Sequence, residues 1–156
     1  MLKTYYLFPI KLLLCLFFIG AGTMRQVPDP TQYFVDVSEE RLPGNSEFTM
    51  DVDLADVDGD SDLDVFFTNG ARYSPYLAHQ SRLYINDGRG YFTDETTERL
   101  PTENIDTRSS TFADFNGDGH PDVIISTASG YSCRLWINDG SGKFSDESLW
   151  RLPPIL

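Results

Sequence analysis

Hydrophobic positions in this chain fall in short runs rich in β-branched and aromatic residues, each closed by glycine, asparagine or aspartate, with no helical period of useful length. The runs predict strands over 49–55, 63–68, 82–86 and 91–93, then over 109–113, 122–126, 134–138 and 143–145. Asn86-Asp87-Gly88 and Asn138-Asp139-Gly140 read as hairpin turns between the third and fourth strand of each set, since these residues tolerate the positive φ such turns need. Four antiparallel strands, twice over, predict an all-β fold of two β-propeller blades.

The same organisation is written as internal repetition. FVDVSEERLP at 34–43 returns as FTDETTERLP at 92–101 and FSDESLWRLP at 144–153; LADVDGDSDLDVFF matches FADFNGDGHPDVII, and SRLYINDGRGYF matches CRLWINDGSGKF. The domain reading is therefore a partial repeat, 34–43, followed by repeats 44–101 and 102–153, a partial propeller that opens on a leading outer strand. The Arg-Leu-Pro shared by the three copies reads as fixing the approach to the next blade. The first repeat carries six extra residues between Asp64 and Asn86, which marks a loop. That loop, NGARYSPYLAHQ, holds Arg72, Tyr73, Tyr76 and His79, which could meet a sugar or peptide, although a loop packed on itself is the simpler expectation.

Between the first and second strand of each repeat lie DVDGDSDLD (56–64) and DFNGDGHPD (114–122). Carboxylates this dense repel one another by about 4 kcal/mol per close pair at an effective dielectric of 20, so something must neutralise them. With DVDGDSDLDV, NDGRGYFTD, DFNGDGHPDV and NDGSGKFSD in place, the chain over 34–153 resembles the FG-GAP or VCBS-type repeats of integrin α-chain propellers and of secreted bacterial proteins. The resemblance implies Ca²⁺ in each loop, two sites in all. Hard Ca²⁺ takes about six to eight oxygens, and loop positions 1, 3, 5 and 9 can converge to supply them. These are Asp56, Asp58, Asp60 and Asp64 in the first loop and Asp114, Asn116, Asp118 and Asp122 in the second. Position 7, Asp62 or His120, would offer its backbone carbonyl. Gly59, Gly117 and Gly119 supply permissive backbone, and Ser61, standing where the second loop has Gly119, departs from the pattern. An EF-hand is excluded because its twelfth position would be Phe67 or Ile125, inside a strand. Asp51 and Asp53 have uncharged counterparts, Ser109 and Thr111, and read as exposed strand positions.

Charge and leader narrow the function. A net charge of -12 disfavours nucleic acid and favours cationic partners. Lys3, the apolar run from Leu12 to Ile19 and the small residues from Gly20 to Thr23 predict a cleavable signal peptide over 1–23, hence a secreted or cell-envelope protein with no membrane span after cleavage; an uncleaved anchor is the alternative. Cys15 leaves with that leader, so Cys133 has no partner for an internal disulfide. No GxSxG, paired Cys and His, or phosphate-binding loop is present, and the two histidines, His79 and His120, lie in different loops. The expectation is a calcium-binding module with a binding, adhesion or structural role and no catalytic residues, taking a protein or carbohydrate ligand. The alternative is the non-catalytic propeller piece of a polysaccharide-degrading enzyme. Two blades fall short of the four or so that close a propeller, which leaves three readings: a homo-oligomer that completes it, a fragment of a longer gene product, or two blades standing alone on calcium.

Overall fold

In a computed structural model the described residues are 34–44, 46–70, 79–103, 105–128 and 132–153. The chain divides into two compact units, Met1–Val35 and Asp36–Leu156, and every element below belongs to the second. The predicted leader (1–23), Cys15 and three of the insertion's side chains, Arg72, Tyr73 and Tyr76, lie outside the described residues.

Two four-stranded antiparallel sheets form in sequence order. The first is β1 (Thr49–Ala55), β2 (Asp64–Asn69), β3 (Arg82–Asn86) and β4 (Phe92–Asp94); the second is β5 (Thr107–Ala113), β6 (Asp122–Thr127), β7 (Arg134–Asn138) and β8 (Phe144–Asp146). Their registers are equivalent: Ala55 pairs with Asp64 as Ala113 pairs with Asp122, and Tyr84 pairs with Asp94 as Trp136 pairs with Asp146. The expected strands are all present: β1, β3 and β7 at the expected bounds, the others displaced by one or two residues at one or both ends.

The two blades meet through an aromatic core. Phe66 lies edge-on to Phe112 (centroids 5.7 Å apart) and to Trp136 (6.3 Å), surrounded by Val57, Leu83, Leu100, Val123, Ile125 and Phe144, all buried. Each fully buried side chain of this size contributes about 1.5–3 kcal/mol. Polar bonds complete the junction. The Ser110 hydroxyl donates to Asp53 Oδ2 (2.5 Å) and accepts from Thr68 Oγ1 (2.9 Å), and the Ser110 amide donates to Asp51 Oδ2 (3.2 Å). Asp51 and Asp53 are therefore blade-junction residues rather than solvent-facing strand positions. Their uncharged counterparts, Ser109 and Thr111, are exposed on the far side of the second blade, so charge at this position follows what the strand faces.

Two further expectations are corrected. The ends of the three repeats contain single helical turns: α1 (Ser38–Arg41), α2 (Thr96–Arg99) and α3 (Ser148–Arg151). Four residues are too few to show a hydrophobic period. Each turn is started by the aspartate two residues before it: Asp36, Asp94 and Asp146 accept the amide N–H of Ser38 (3.0 Å), Thr96 (3.1 Å) and Ser148 (2.9 Å). The hydroxyls of Thr96 and Ser148 then accept the amides of Leu83 (3.0 Å) and Leu135 (2.9 Å), locking the turns onto β3 and β7. Each turn ends at a leucine held extended ahead of proline, as at Leu100 (φ -103, ψ 148). The expected leading strand is not formed: residues 34–37 carry no strand, because a strand exists only with a hydrogen-bonded neighbour.

Candidate functional site

The first acidic loop runs from the end of β1 to the start of β2 and is shaped by its own carboxylates. Asp56 accepts the amides of Gly59 (2.8 Å) and Ser61 (3.0 Å), one on each oxygen, and this winds the loop inward. Asp64, at the loop's last position, is fully buried and accepts the amides of Val57 (3.0 Å) and Asn86 (2.9 Å), tying the loop to the β3–β4 turn. The second loop repeats the scheme: Asp114 accepts from Gly117 (2.7 Å) and Gly119 (2.9 Å), and Asp122 from Phe115 (2.9 Å) and Asn138 (2.9 Å). Gly59, Gly117 and Gly119 all have positive φ. Ser61 takes φ +77 where Gly119 takes +88, so the departure seen in the sequence is absorbed by a non-glycine residue in the left-handed region.

The winding gathers carboxylates in the first loop. One oxygen from each of Asp56, Asp58 and Asp64 lies within 4.8 Å of the others, a group that could hold a metal ion. Burial, followed by the charge of neighbouring carboxylates, pushes Asp58 upward in pKa; burial does the same to Asp64 against the two amide bonds that favour its charged form. Asp58 Oδ1 is buried and accepts no hydrogen bond. A buried carboxylate oxygen without a donor, inside a cluster of three acids, is the arrangement a hard cation would satisfy, so the residues fit a metal ion of that class.

Other expected ligands are placed differently. Asp60 lies outside the group, with Oδ1 accepting the Asp62 amide (2.9 Å). Position 7 packs over the hairpin turn: a Cβ on Gly88 would sit 2.3 Å from Asp62 Oδ2, and one on Gly140 would sit 2.7 Å from His120 Nε2. Those glycines are favoured by their φ of +76 and +86, and a side chain there would also displace the ends of Asp62 and His120. In the second loop Asp118 Oδ1 accepts the His120 amide (2.8 Å) and Oδ2 accepts from Asn116 Nδ2 (2.7 Å). With the amide Asn116 at position 3, no second group of three acidic ligands forms among the described residues.

Sequence reasoning missed the support the second blade gives the first loop. Asn138 Nδ2 donates to the Val57 carbonyl (2.8 Å), and a Cβ on Gly142 would meet Val57 Cγ2 at 3.2 Å and Asp58 Cβ at 3.3 Å. Arg99, from α2, places Nη2 3.5 Å from Asp58 Oδ2 and donates through Nη1 to the Ser141 carbonyl. Among the described residues the second loop is less covered: Phe115, the counterpart of Val57, is 43% exposed against 1%. The available signal was the recurrence of Arg and Asn at fixed offsets beside the acidic loops. A cavity of about 460 Å³ lined in part by Leu42, Pro43, Phe67, Arg82 and Tyr84 includes no residue of either loop.

The FG-GAP-like repeat family matches at residues 72–125 and the FG-GAP repeat family at residues 107–144. The chain is 28% identical over 137 residues to a T-cell immunomodulatory protein homolog of Plasmodium yoelii yoelii, a match covering 75% of this chain and 18% of that protein. The chain thus spans less than a fifth of the length of that relative. No solved structure matches.

Proposed function

We infer that this chain, an FG-GAP-type repeat protein, is a calcium-binding module of a secreted protein, with a binding, adhesion or structural role and no catalysis of its own. The observation that carries the reading is the first loop, where Asp56, Asp58 and Asp64 converge and Asp58 Oδ1 is buried without a donor. Bound calcium would supply positive charge between the three carboxylates, of which Arg99 faces Asp58, at 3.5 Å. Asp56 and Asp64 are held in place by the amides they accept, and each carboxylate oxygen that accepts one hydrogen bond keeps a second lone pair for a cation. The second loop, with Asp114, Asn116, Asp118 and Asp122 on the same backbone scheme, is the second and more exposed site.

The ligand of such a module is a protein or a carbohydrate; a net charge of -12 argues against nucleic acid. The outward side of β1 presents Met50, Val52 and Leu54, 37–55% exposed, and the counterparts of Val52 and Leu54 in the second blade, Ser110 and Phe112, face the first blade. This surface fits a neighbouring blade, and a second copy of the chain is one source of it. Among the described residues no helix is long and apolar enough to cross a membrane.

The reading is tested by thermal unfolding of the full chain in a chelator and in millimolar calcium. With calcium at about ten times Kd, each occupied site adds about 1.4 kcal/mol. The melting point should rise with calcium, and rise less in Asp56→Ala and in Asp114→Ala. Identical melting in chelator and calcium for the unmodified chain would refute it.

A further inference from the structure

We propose that Arg99 is a tethered cation that competes with the metal for Asp58, coupling occupancy of the first loop to the contact between the blades. The proposal rests on the calcium reading above and concerns how that site is regulated.

Arg99 is four-fifths buried and grips three groups from three parts of the chain. Within its own turn it pairs with Glu95 (Nε to Oε2, 2.5 Å); across the junction it donates to the Ser141 carbonyl in the second blade's hairpin turn; and it faces Asp58 Oδ2 at 3.5 Å. The two other arginines at this place in the repeat face no acidic loop. Arg41 donates to the Arg89 carbonyl (3.4 Å) and lies over the Tyr91 ring (4.9 Å), and Arg151 pairs with Glu147 (2.5 Å). The second loop also carries neutral Asn116 where the first carries Asp58. Among the described residues, a resident positive charge is built beside the first loop, the one with the extra carboxylate.

In the metal-free protein Arg99 offsets the repulsion of Asp58 with Asp56, Asp60 and Asp64. A cation entering the loop takes over that task and is itself repelled by the guanidinium, so Arg99 lowers cation affinity while stabilising the empty loop. Because the same guanidinium holds the Ser141 carbonyl and lies against Gly142, a change at Asp58 is felt at the blade junction. Linkage requires the converse as well: a disturbed junction alters cation affinity.

The test uses the full chain carrying Asp114→Ala, which silences the second loop, with calcium alone as the probe in titration calorimetry. Arg99→Gln should bind calcium several-fold more tightly than its parent and melt at a lower temperature in chelator. Arg99→Lys, which keeps the charge, should bind like the parent, and Arg151→Gln should change neither quantity. Affinity in Arg99→Gln equal to or weaker than the parent's would overturn the proposal. A second readout needs no metal: in chelator, Arg99→Gln and Asp58→Asn should be non-additive in melting temperature, and strict additivity would also overturn it. If the parent takes up no calcium, the calcium reading falls and the competition with it, while the chelator cycle still reports on the Arg99–Asp58 pair.

Discussion

Replacing Asn138 by alanine and comparing the result with Asn86→Ala isolates one hydrogen bond between the blades. In its own blade each asparagine does the same work: Asn138 bonds the Pro121 carbonyl (3.2 Å) and the amides of Gly140 and Gly142 (3.0 Å each), and Asn86 bonds the Leu63 carbonyl (3.1 Å) and the amides of Gly88 (3.1 Å) and Gly90 (3.0 Å). Only Asn138 adds a cross-blade bond, to the carbonyl of Val57, a residue 1% exposed. A hydrogen bond contributes about 0.5–1.5 kcal/mol net, and a buried group left without its partner costs about 1–3 kcal/mol. Water can reach the half-exposed Asn86 site but not Asn138, which is 1% exposed. Asn86→Ala should therefore cost about 1–2 kcal/mol and Asn138→Ala about 3–4 kcal/mol, a difference of about 2 kcal/mol from the orphaned Val57 carbonyl. Urea unfolding of both variants in chelator measures the two directly. Equal costs within about 0.5 kcal/mol would refute the claim that the second blade's hairpin turn holds the first loop in place.

Other perturbations have definite signs. Ser61→Gly removes a non-glycine residue from φ +77 and should stabilise the chain by about 0.5–1 kcal/mol in urea unfolding, the relief exceeding the extra entropy of the unfolded glycine. Phe66→Ala removes the ring that meets Phe112 and Trp136 and should cost about 3–5 kcal/mol. Asp58 and Asp64 are both raised by burial, so the folded chain holds their protons more tightly than the unfolded one. In chelator their contribution to stability is complete below the unfolded carboxylate pKa and is lost as pH rises through the folded values; calcium should reverse that trend, and Asp58→Asn should flatten it in melts across the carboxylate range.

The fold was legible because the repeat states each blade twice: strand boundaries, hairpin turns and the six-residue insertion all follow from aligning one copy on the other. The blade junction was harder to read. Asp51 and Asp53 alternate with apolar residues as solvent-facing positions do, and only the path of the second blade shows that they meet Ser110. The three helical turns were illegible by period, yet their cause is an aspartate two residues ahead of a serine or threonine in every copy. At the acidic loops the sequence marks which residues carry oxygen but not which oxygens are already engaged. Asp60 points to its own loop backbone, and Asp62 and His120 cover hairpin glycines. Arg99 was hidden because it lies 41 residues from Asp58 along the chain.

Calorimetric titration of the full, unmodified chain with calcium tests the central claim most directly. Two ions bound per chain, reduced to one in Asp56→Ala and to one in Asp114→Ala, is the predicted result. Heat of binding absent from the unmodified chain and from both variants would contradict the account and leave the acidic loops as hydrogen-bonded turns.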